Sequence, residues 1–365
     1  MGQTPPPWHG QAVATQILFD HDWPDFDVHR LRMDYSEEMS EVGRFHPRKL
    51  ICLFRLIRKA RKILKQHPNC ILFYPPASAK WIPFLRDVVF LSSIRYLAGG
   101  TVFIFHASGL GAFVRKSLLR RLLSSIPYED ADFHLEVAQE HIAPPHEVFG
   151  AKAWKWCPCG IEVPGAPNVR REVGRPLTAL FVGSLQEGKG ILEILRTAAA
   201  LKNMGVGADI RFRIVGKWFS EPFEVEVRLL REELGVEDMI DLVGQLTGDE
   251  KWQAYREADV FFFPTHYASE ATPIVLMEAL GMGLPLLTTH WAGIPAMLEG
   301  CRSAQILPIR SPDLYAQHLA EQLGQRENRN CQALESVQFY REHFLPETFI
   351  ARVAEGWRHA IGERE

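Results

Sequence analysis

Residues 269–283 read SEATPIVLMEALGMG, and their pattern decides the fold. Two carboxylates, Glu270 and Glu278, stand eight residues apart. Between them a helix begins. Thr272 suits the N-cap and Pro273 the first helical position. The amides of Ile274 and Val275 then lack intrahelical partners at a positive helix end, which favours a phosphate. Glu278 follows about 6 Å along that helix at ~1.5 Å per residue, roughly the step from a diphosphate to its ribose. Glu270 precedes the cap, on the loop where a transferred group could lie. Upstream, VFFF at 260–263 is an apolar run closed by Pro264. Strand, loop and helix with a free N-terminus describe a ligand site at the carboxyl end of a parallel strand.

Outward from this stretch, the second half alternates. Strands are predicted at 178–182, 210–215, 239–243, 259–263, 285–288 and 304–307, and helices near 190–203, 223–234, 249–257, 273–281, 294–299 and 312–325. Such alternation means a parallel sheet covered on both faces. The first half opens on a loop, TPPPWHGQ, and a short helical stretch to Phe19. A strand at 26–33, a helix at 48–66, a strand at CILFYPP and a helix over 81–97 follow. TVFIFH is a buried strand ending at His106, GAFVRKSLLRRLL reads as one basic amphipathic helix, and FHLEV and AKAWKWCP close the half. The tail, PETFIARVAEGWRHAIG, reads as one helix. No strand precedes the opening loop, although the first strand of a doubly wound sheet is central. The expectation is that about five apolar residues are encoded upstream of Met1, or that an edge substitute fills the place.

ASEATPIVLMEALGMGLPLL resembles the Glu-x7-Glu signature of retaining GT-B glycosyltransferases of the family 4 type, the glycosyl transferases group 1. The resemblance extends over 177–300, through FVGSLQEGKG and HWAGIP, and fades in the N-terminal half. CPCGIEVPG is similar to the family's interdomain Asn-Gly turn, with Cys159 in place of Asn. The resemblance implies an α/β chain of GT-B type: two Rossmann-like doubly wound domains facing a cleft. Residues 1–165 would bind the acceptor, 166–340 the nucleotide sugar, and 341–365 would form a helix crossing back to the first domain. It further implies transfer of a hexosyl-type group from a nucleoside diphosphate sugar to a glycan or lipid-linked acceptor, with retention and with neither metal nor cofactor. Glu270 would grip the donor sugar and steady an oxocarbenium-like state. Lys189, with the amides of Ile274 and Val275, would hold the diphosphate, and Glu278 the ribose. Gly183, Ser184 and Thr272 would line the donor, and Gly10 and Gln11, after His9, would approach it from the other domain. His106 would face the donor sugar; a core or loop histidine is the other reading. The family commonly carries Arg where Ser184 stands, so one positive charge on the leaving group is missing here or comes from elsewhere.

Other motifs were weighed against this. Gly183–Gly190, GSLQEGKG, nearly matches a P-loop, but Gly190 stands where a magnesium-binding hydroxyl is required. Asp259 precedes its strand, so no acid of Walker-B type follows. Asp130-Ala-Asp132 has the spacing of a metal-binding DxD without its surroundings. His134, Glu140, His141 and His146 lack metal spacing. Two other function classes stay open: a sugar-nucleotide epimerase or a phosphorylase on the same fold, the latter needing a pyridoxal lysine that the sequence does not place, and a non-catalytic, membrane-associated sugar-nucleotide binder.

Bulk composition sets bounds. A chain of 365 residues with 47% hydrophobic content suits two globular domains. No run of apolar residues is long enough to span a bilayer, and the N-terminus lacks the pattern of a signal peptide. Six scattered cysteines suit reduced thiols in a cytoplasm. The net charge of −3 is unevenly divided: residues 41–125 hold 16 Lys and Arg against two acids, Glu41 and Asp87. That balance of +14 leaves −17 for the remainder. It points to an anionic partner, read here as a membrane surface met by Arg55, Arg58, Lys59, Lys62, Arg115 and Lys116. Nucleic acid is disfavoured, since no known binding module is recognised. The resulting expectation is a cytoplasmic enzyme, peripheral at the inner face of the membrane.

Overall fold

The computed structural model describes residues 1–6, 10–33, 35, 46–138, 143–164, 175–268, 270, 272–324 and 329–362. The chain divides into two compact units, Met1–Gly160 with Pro346–Glu365, and Ile161–Leu345. Each junction lies five residues from the one expected. The second unit's ends are tied together: the Ile161 amide donates to the Phe344 carbonyl at 3.0 Å, and the Tyr340 hydroxyl to the Ile161 carbonyl at 2.6 Å.

In the first unit, β1 (Ile71–Tyr74), β2 (Gly100–Phe105), β3 (Phe133–Glu136) and β4 (Ala153–Trp156) form a parallel sheet in that order. Every residue of β2 is buried, as both-face coverage requires. Side chains alternate across a strand. Leu72, Tyr74 and Phe103 therefore join one core with α2 (Pro47–Gln66), α3 (Trp81–Ile94), α4 (Leu110–Arg115) and α5 (Leu118–Tyr128). Phe73 points the opposite way, onto Trp357 of α14 (Pro346–Gly362), the predicted tail helix. Gly356 lets that helix approach closely, since a Cβ there would lie 3.2 Å from the Phe133 ring.

The helix predicted at 48–66 is α2, with Leu53, Leu56, Ile57, Ala60 and Leu64 buried. The single helix expected over GAFVRKSLLRRLL is two, α4 and α5. Ser117 is extended and serves as N-cap of α5, the role Ser favours. Arg120 and Arg121 donate to the Phe113 and Arg115 carbonyls at 2.9 and 3.1 Å, satisfying the end of α4. A short helix, α6 (Pro145–Phe149), follows β3 and has no counterpart in the sequence reading.

Residues 26–33, expected as a strand, form only an isolated parallel bridge between Arg32 and Gly2. A strand needs a partner ladder, and here the ladder is a single bridge. The Gly2 amide donates to the Leu31 carbonyl at 3.3 Å, the Met33 amide to the Gly2 carbonyl at 2.8 Å, and the Met1 amine to the Phe73 carbonyl at 2.9 Å. Met1 and Gly2 thus stand between residues 31–33 and β1. Burial pushes the Met1 amine's pKa down to about 5. Beside them lies a cavity of about 600 Å³ bordered by Val28, Leu31, Leu64, Ile71 and Trp357. α1 (Gly10–Asp20) also borders it, through Thr15, Leu18 and Phe19.

The second unit contains a parallel six-stranded sheet in the order β10-β9-β8-β5-β6-β7. These are β5 (Leu177–Val182), β6 (Ile210–Val215), β7 (Ile240–Gly244), β8 (Val260–Phe263), β9 (Leu286–Thr289) and β10 (Ala304–Leu307). All six predicted strands are present, within a residue at each end. The intervening helices are α7 (Ile191–Asn203), α8 (Glu221–Glu233), α9 (Gly248–Glu257), α10 (Ile274–Gly281), α11 (Ile294–Met297) and α12 (Pro312–Gly324). α13 (Arg329–His343), which packs on α10, was not expected; its apolar residues do not gather on one face. The strand order reverses between β5 and β8. A doubly wound sheet binds ligands outside the carboxyl ends of strands at such a point. The loops at 183–190 and 264–270 leave from those two ends.

Candidate functional site

The loop after β5 turns through Gln186–Gly190. Gly190 has φ +81°, and a Cβ there would lie 2.1 Å from the Pro264 carbonyl oxygen. Its missing side chain is thus required by contact with the β8 loop, in addition to any approach of a ligand. The His266 amide donates to the Gly188 carbonyl at 2.8 Å, joining the loops again. From β9, the Thr288 and Thr289 hydroxyls donate to the Phe263 and Thr265 carbonyls at 2.9 and 2.5 Å. The Trp291 indole donates to the Tyr267 carbonyl at 2.8 Å. These bonds fix the backbone that carries Glu270, which is 7% exposed.

Lys189 and Glu270 meet. Lys189 Nζ donates to Glu270 Oε2 at 2.5 Å, and the Thr265 hydroxyl donates to the same oxygen at 3.0 Å. The ammonium also lies 4.9 Å from the Tyr267 ring centre and 5.3 Å from that of Phe263. Two residues assigned to separate parts of a donor therefore stand as one largely buried ion pair. Ser184 is exposed, and its hydroxyl accepts from the Gln186 amide at 2.9 Å. Gly183 packs against Phe181.

α10 begins one residue later than predicted. Pro273, with extended backbone, is the N-cap in place of Thr272, and Ile274 is the first helical residue. A Pro nitrogen has no hydrogen to place, so the ring fits either position. The amides of Ile274 and Val275 remain in the first turn, where no intrahelical carbonyl reaches them. Further along, Glu278 is buried and held from α9. Lys251 Nζ donates to Oε1 and the Tyr255 hydroxyl to Oε2, each at 2.7 Å. Neither partner was expected from the sequence. Their spacing, four residues apart on one helix face, is the signal that could have found them.

The remaining predicted residues belong to the first unit. Gly10 and Gln11 open α1, where the Gln11 carbonyl accepts from Thr15; His9 lies outside the described residues. His106 follows β2, its Nδ1 3.6 Å from the buried Cys159 sulfur. Burial pushes the Cys159 thiol up to about 12. Asp132 accepts the Thr101 amide and Lys152, both structural roles. Glu136 pairs with His146 at 2.9 Å, while Glu140 and His141 lie outside the described residues. Among the described residues no three His, Cys, Asp or Glu side chains converge as metal ligands. Asp259 accepts from Arg175 and the Thr178 amide, holding β8 to β5.

Among the basic residues, Arg55, Arg58, Lys59 and Lys62 are exposed on α2. Lys116 is also exposed, whereas Arg115 stands 3.9 Å from Glu147 and is partly offset. No helix among the described residues is long and apolar enough to cross a membrane.

Two parallel α/β units, the second with its strand order reversing between β5 and β8, define the GT-B class of fold. Sucrose-phosphate synthase from Thermosynechococcus elongatus has the same fold: TM-score 0.66 at 18% identity, over 94% of this chain and 87% of that one. The Anabaena protein HepE in complex with UDP gives 0.64 at 12% identity, over 84% and 82%. Residues 166–333, a little under half of the chain, match the family described as glycosyl transferases group 1. The Salmonella typhimurium glycosyltransferase WcaL, named for colanic acid biosynthesis, is 34% identical over 152 residues, 40% of this chain and 36% of that protein. The chain matches just over a third of the length of such curated relatives.

Proposed function

We propose that this chain transfers a sugar from a nucleoside diphosphate sugar to a glycan or lipid-linked acceptor, as in cell-envelope polysaccharide synthesis, with retention and without a metal. The observation that carries the reading is the Lys189–Glu270 pair at 2.5 Å, beside the free first turn of α10. An ammonium has three donors. Lys189 can hold Glu270 and still meet a diphosphate. Negative charge grows on that diphosphate as the glycosidic bond breaks, so fixed donors stabilise the transition state more than the ground state. Glu270 would oppose positive charge on the sugar ring. Glu278, braced by Lys251 and Tyr255, keeps further lone pairs for two ribose hydroxyls. The UDP complex of HepE and the polysaccharide context of WcaL support the substrate class. No cofactor enters this scheme. The setting is the cytoplasmic side of a membrane, approached through the basic face of α2.

Screening UDP-, GDP- and ADP-sugars for slow hydrolysis tests the proposal. Release of nucleoside diphosphate from one donor class, lost in Glu270→Gln, supports it. Donor isomerised without release is the outcome for an epimerase. Binding without turnover is the outcome for a non-catalytic binder.

A further inference from the structure

We infer that the outer surface of α2, α3 and α5 is a docking face that inserts aliphatic side chains into an anionic lipid bilayer. The three helices are neighbours in one layer, α3 packing on both α2 and α5. On α5, Leu118, Leu122 and Ile126 follow at intervals of four and are 81%, 72% and 72% exposed. They form a stripe turned away from the buried Ser124 and Tyr128. On α2, Ile51 and Phe54 are 64% and 62% exposed, directly before Arg55, Arg58 and Lys59. Leu85 and Val89 lie exposed on α3 between them. Isolated exposed apolar residues are ordinary; successive helical turns on adjoining helices are a surface built for a partner.

Charge identifies the partner. Between residues 46 and 128 the one acid is Asp87. It is fully buried, accepting from Tyr74, Tyr128, Arg86 and the Ala77 amide. The exposed part of this face therefore carries cations and apolar side chains with no acid. Among the described residues no carboxylate pairs with Arg55, Arg58, Lys59 or Lys62. Long basic side chains reach headgroups while their stems and the leucines meet the acyl boundary. A second copy of the chain would set the same positive face against itself, which like-charge repulsion opposes. Single-stranded nucleic acid would be met by a row of aromatic stacking platforms, whereas Phe54 and Trp81 stand singly on α2 and α3 and the α5 stripe is aliphatic.

The inference does not depend on the donor chemistry, because donor hydrolysis without vesicles reads that separately. The test is co-sedimentation of the full chain with vesicles of phosphatidylcholine, alone or mixed with phosphatidylglycerol, across a salt series. Binding is expected on the mixed vesicles, weakened but not abolished toward 1 M salt, where the Debye length is about 3 Å. Changing Arg58, Lys59 and Lys62 to Glu should remove the salt-sensitive part, at roughly fivefold per charge removed for ~1 kcal/mol each. Leu118→Ser with Leu122→Ser and Ile126→Ser should remove the salt-resistant part, by about tenfold or more. Ile51→Ser with Phe54→Ser repeats that test on another helix, should the first variant fold poorly. Donor hydrolysis should persist in all three. Binding that ignores phosphatidylglycerol, or that both serine variants leave unchanged, overturns the inference. So does a dimer in solution that the serine variants dissociate while no vesicle binding is seen.

Discussion

Lys189 Nζ stands 2.5 Å from Glu270 Oε2, and the pair joins the two loops that leave β5 and β8 at the reversal of the sheet order. The Lys189 and Glu270 side chains are only 14% and 9% exposed. Buried charges of this kind are compensated before any ligand arrives, and removing one strands the other.

Lys189→Ala should therefore act twice. Loss of a charged bond to the diphosphate costs roughly 1.5–3 kcal/mol, or about 10- to 150-fold. That loss should appear in donor affinity and in kcat, because charge on the diphosphate grows in the transition state. The stranded Glu270 should also lower Tm, at about 2–4 °C per kcal/mol for a unit of this size. Steady-state kinetics with thermal unfolding checks both; unchanged kcat with lowered Tm would leave Lys189 a purely structural residue.

Gly190→Ala tests the joint between the loops. The new Cβ would fall 2.1 Å from the Pro264 oxygen, and φ is +81°. Left-handed strain alone costs about 1–3 kcal/mol, and the clash adds a shift of the β8 loop bearing Glu270. Donor hydrolysis should fall together with Tm. Gly205→Ala, also at positive φ but with open space around it, should lower Tm less and spare activity.

His134 sets a pH dependence in the first unit. Both ring nitrogens are buried without partners, between Phe103 and Phe105. Burial holds its pKa down to about 3, with the neighbouring charges of His146 and Arg95 adding to the effect. Between about 6.5 and 3 the unfolded chain binds a proton that the folded chain refuses, so stability falls as pH drops through that window. The slope from this group is at most about 1.4 kcal/mol per pH unit. Glu136, raised by burial, works in the opposite direction: its contribution is present at low pH and fades as pH rises through its folded pKa. His134→Leu should flatten the decline in Tm between pH 6.5 and 4. An equal decline in both proteins would show that His134 is not its source.

The C-terminal unit was readable because its signals are local. Buried parallel strands such as VFFF and LTALFV are short apolar runs, and helices fill the gaps between them. Gly190 and Pro273 marked loop and helix start to within a residue. What stayed hidden depends on distant contacts. Tyr255 and Lys251 brace Glu278 across 23 and 27 residues, and Thr265 meets Glu270 through a turn that no propensity encodes. The failed strand at 26–33 shows the same limit, since pairing there stops at a single bridge to Gly2, which composition does not reveal. The break at Ser117 was legible in principle: a Ser between a basic pair and a leucine run is an N-cap.

The most direct test separates Glu270 from Glu278. In the proposed scheme Glu270→Gln removes the negative charge that would oppose an oxocarbenium-like sugar, and it also frees the charge of Lys189, now paired with Glu270, for a diphosphate. In the proposed scheme Glu278→Gln removes a ribose acceptor whose contact would be the same in ground and transition states. Calorimetry with the free nucleoside diphosphate, beside steady-state kinetics on the donor, measures both effects. The account predicts that Glu270→Gln loses kcat while binding the nucleoside diphosphate as tightly as the parent or more so. It predicts that Glu278→Gln binds it more weakly and keeps most of kcat. Weakened nucleotide binding in Glu270→Gln with kcat retained would contradict the assignment of Glu270 to the sugar.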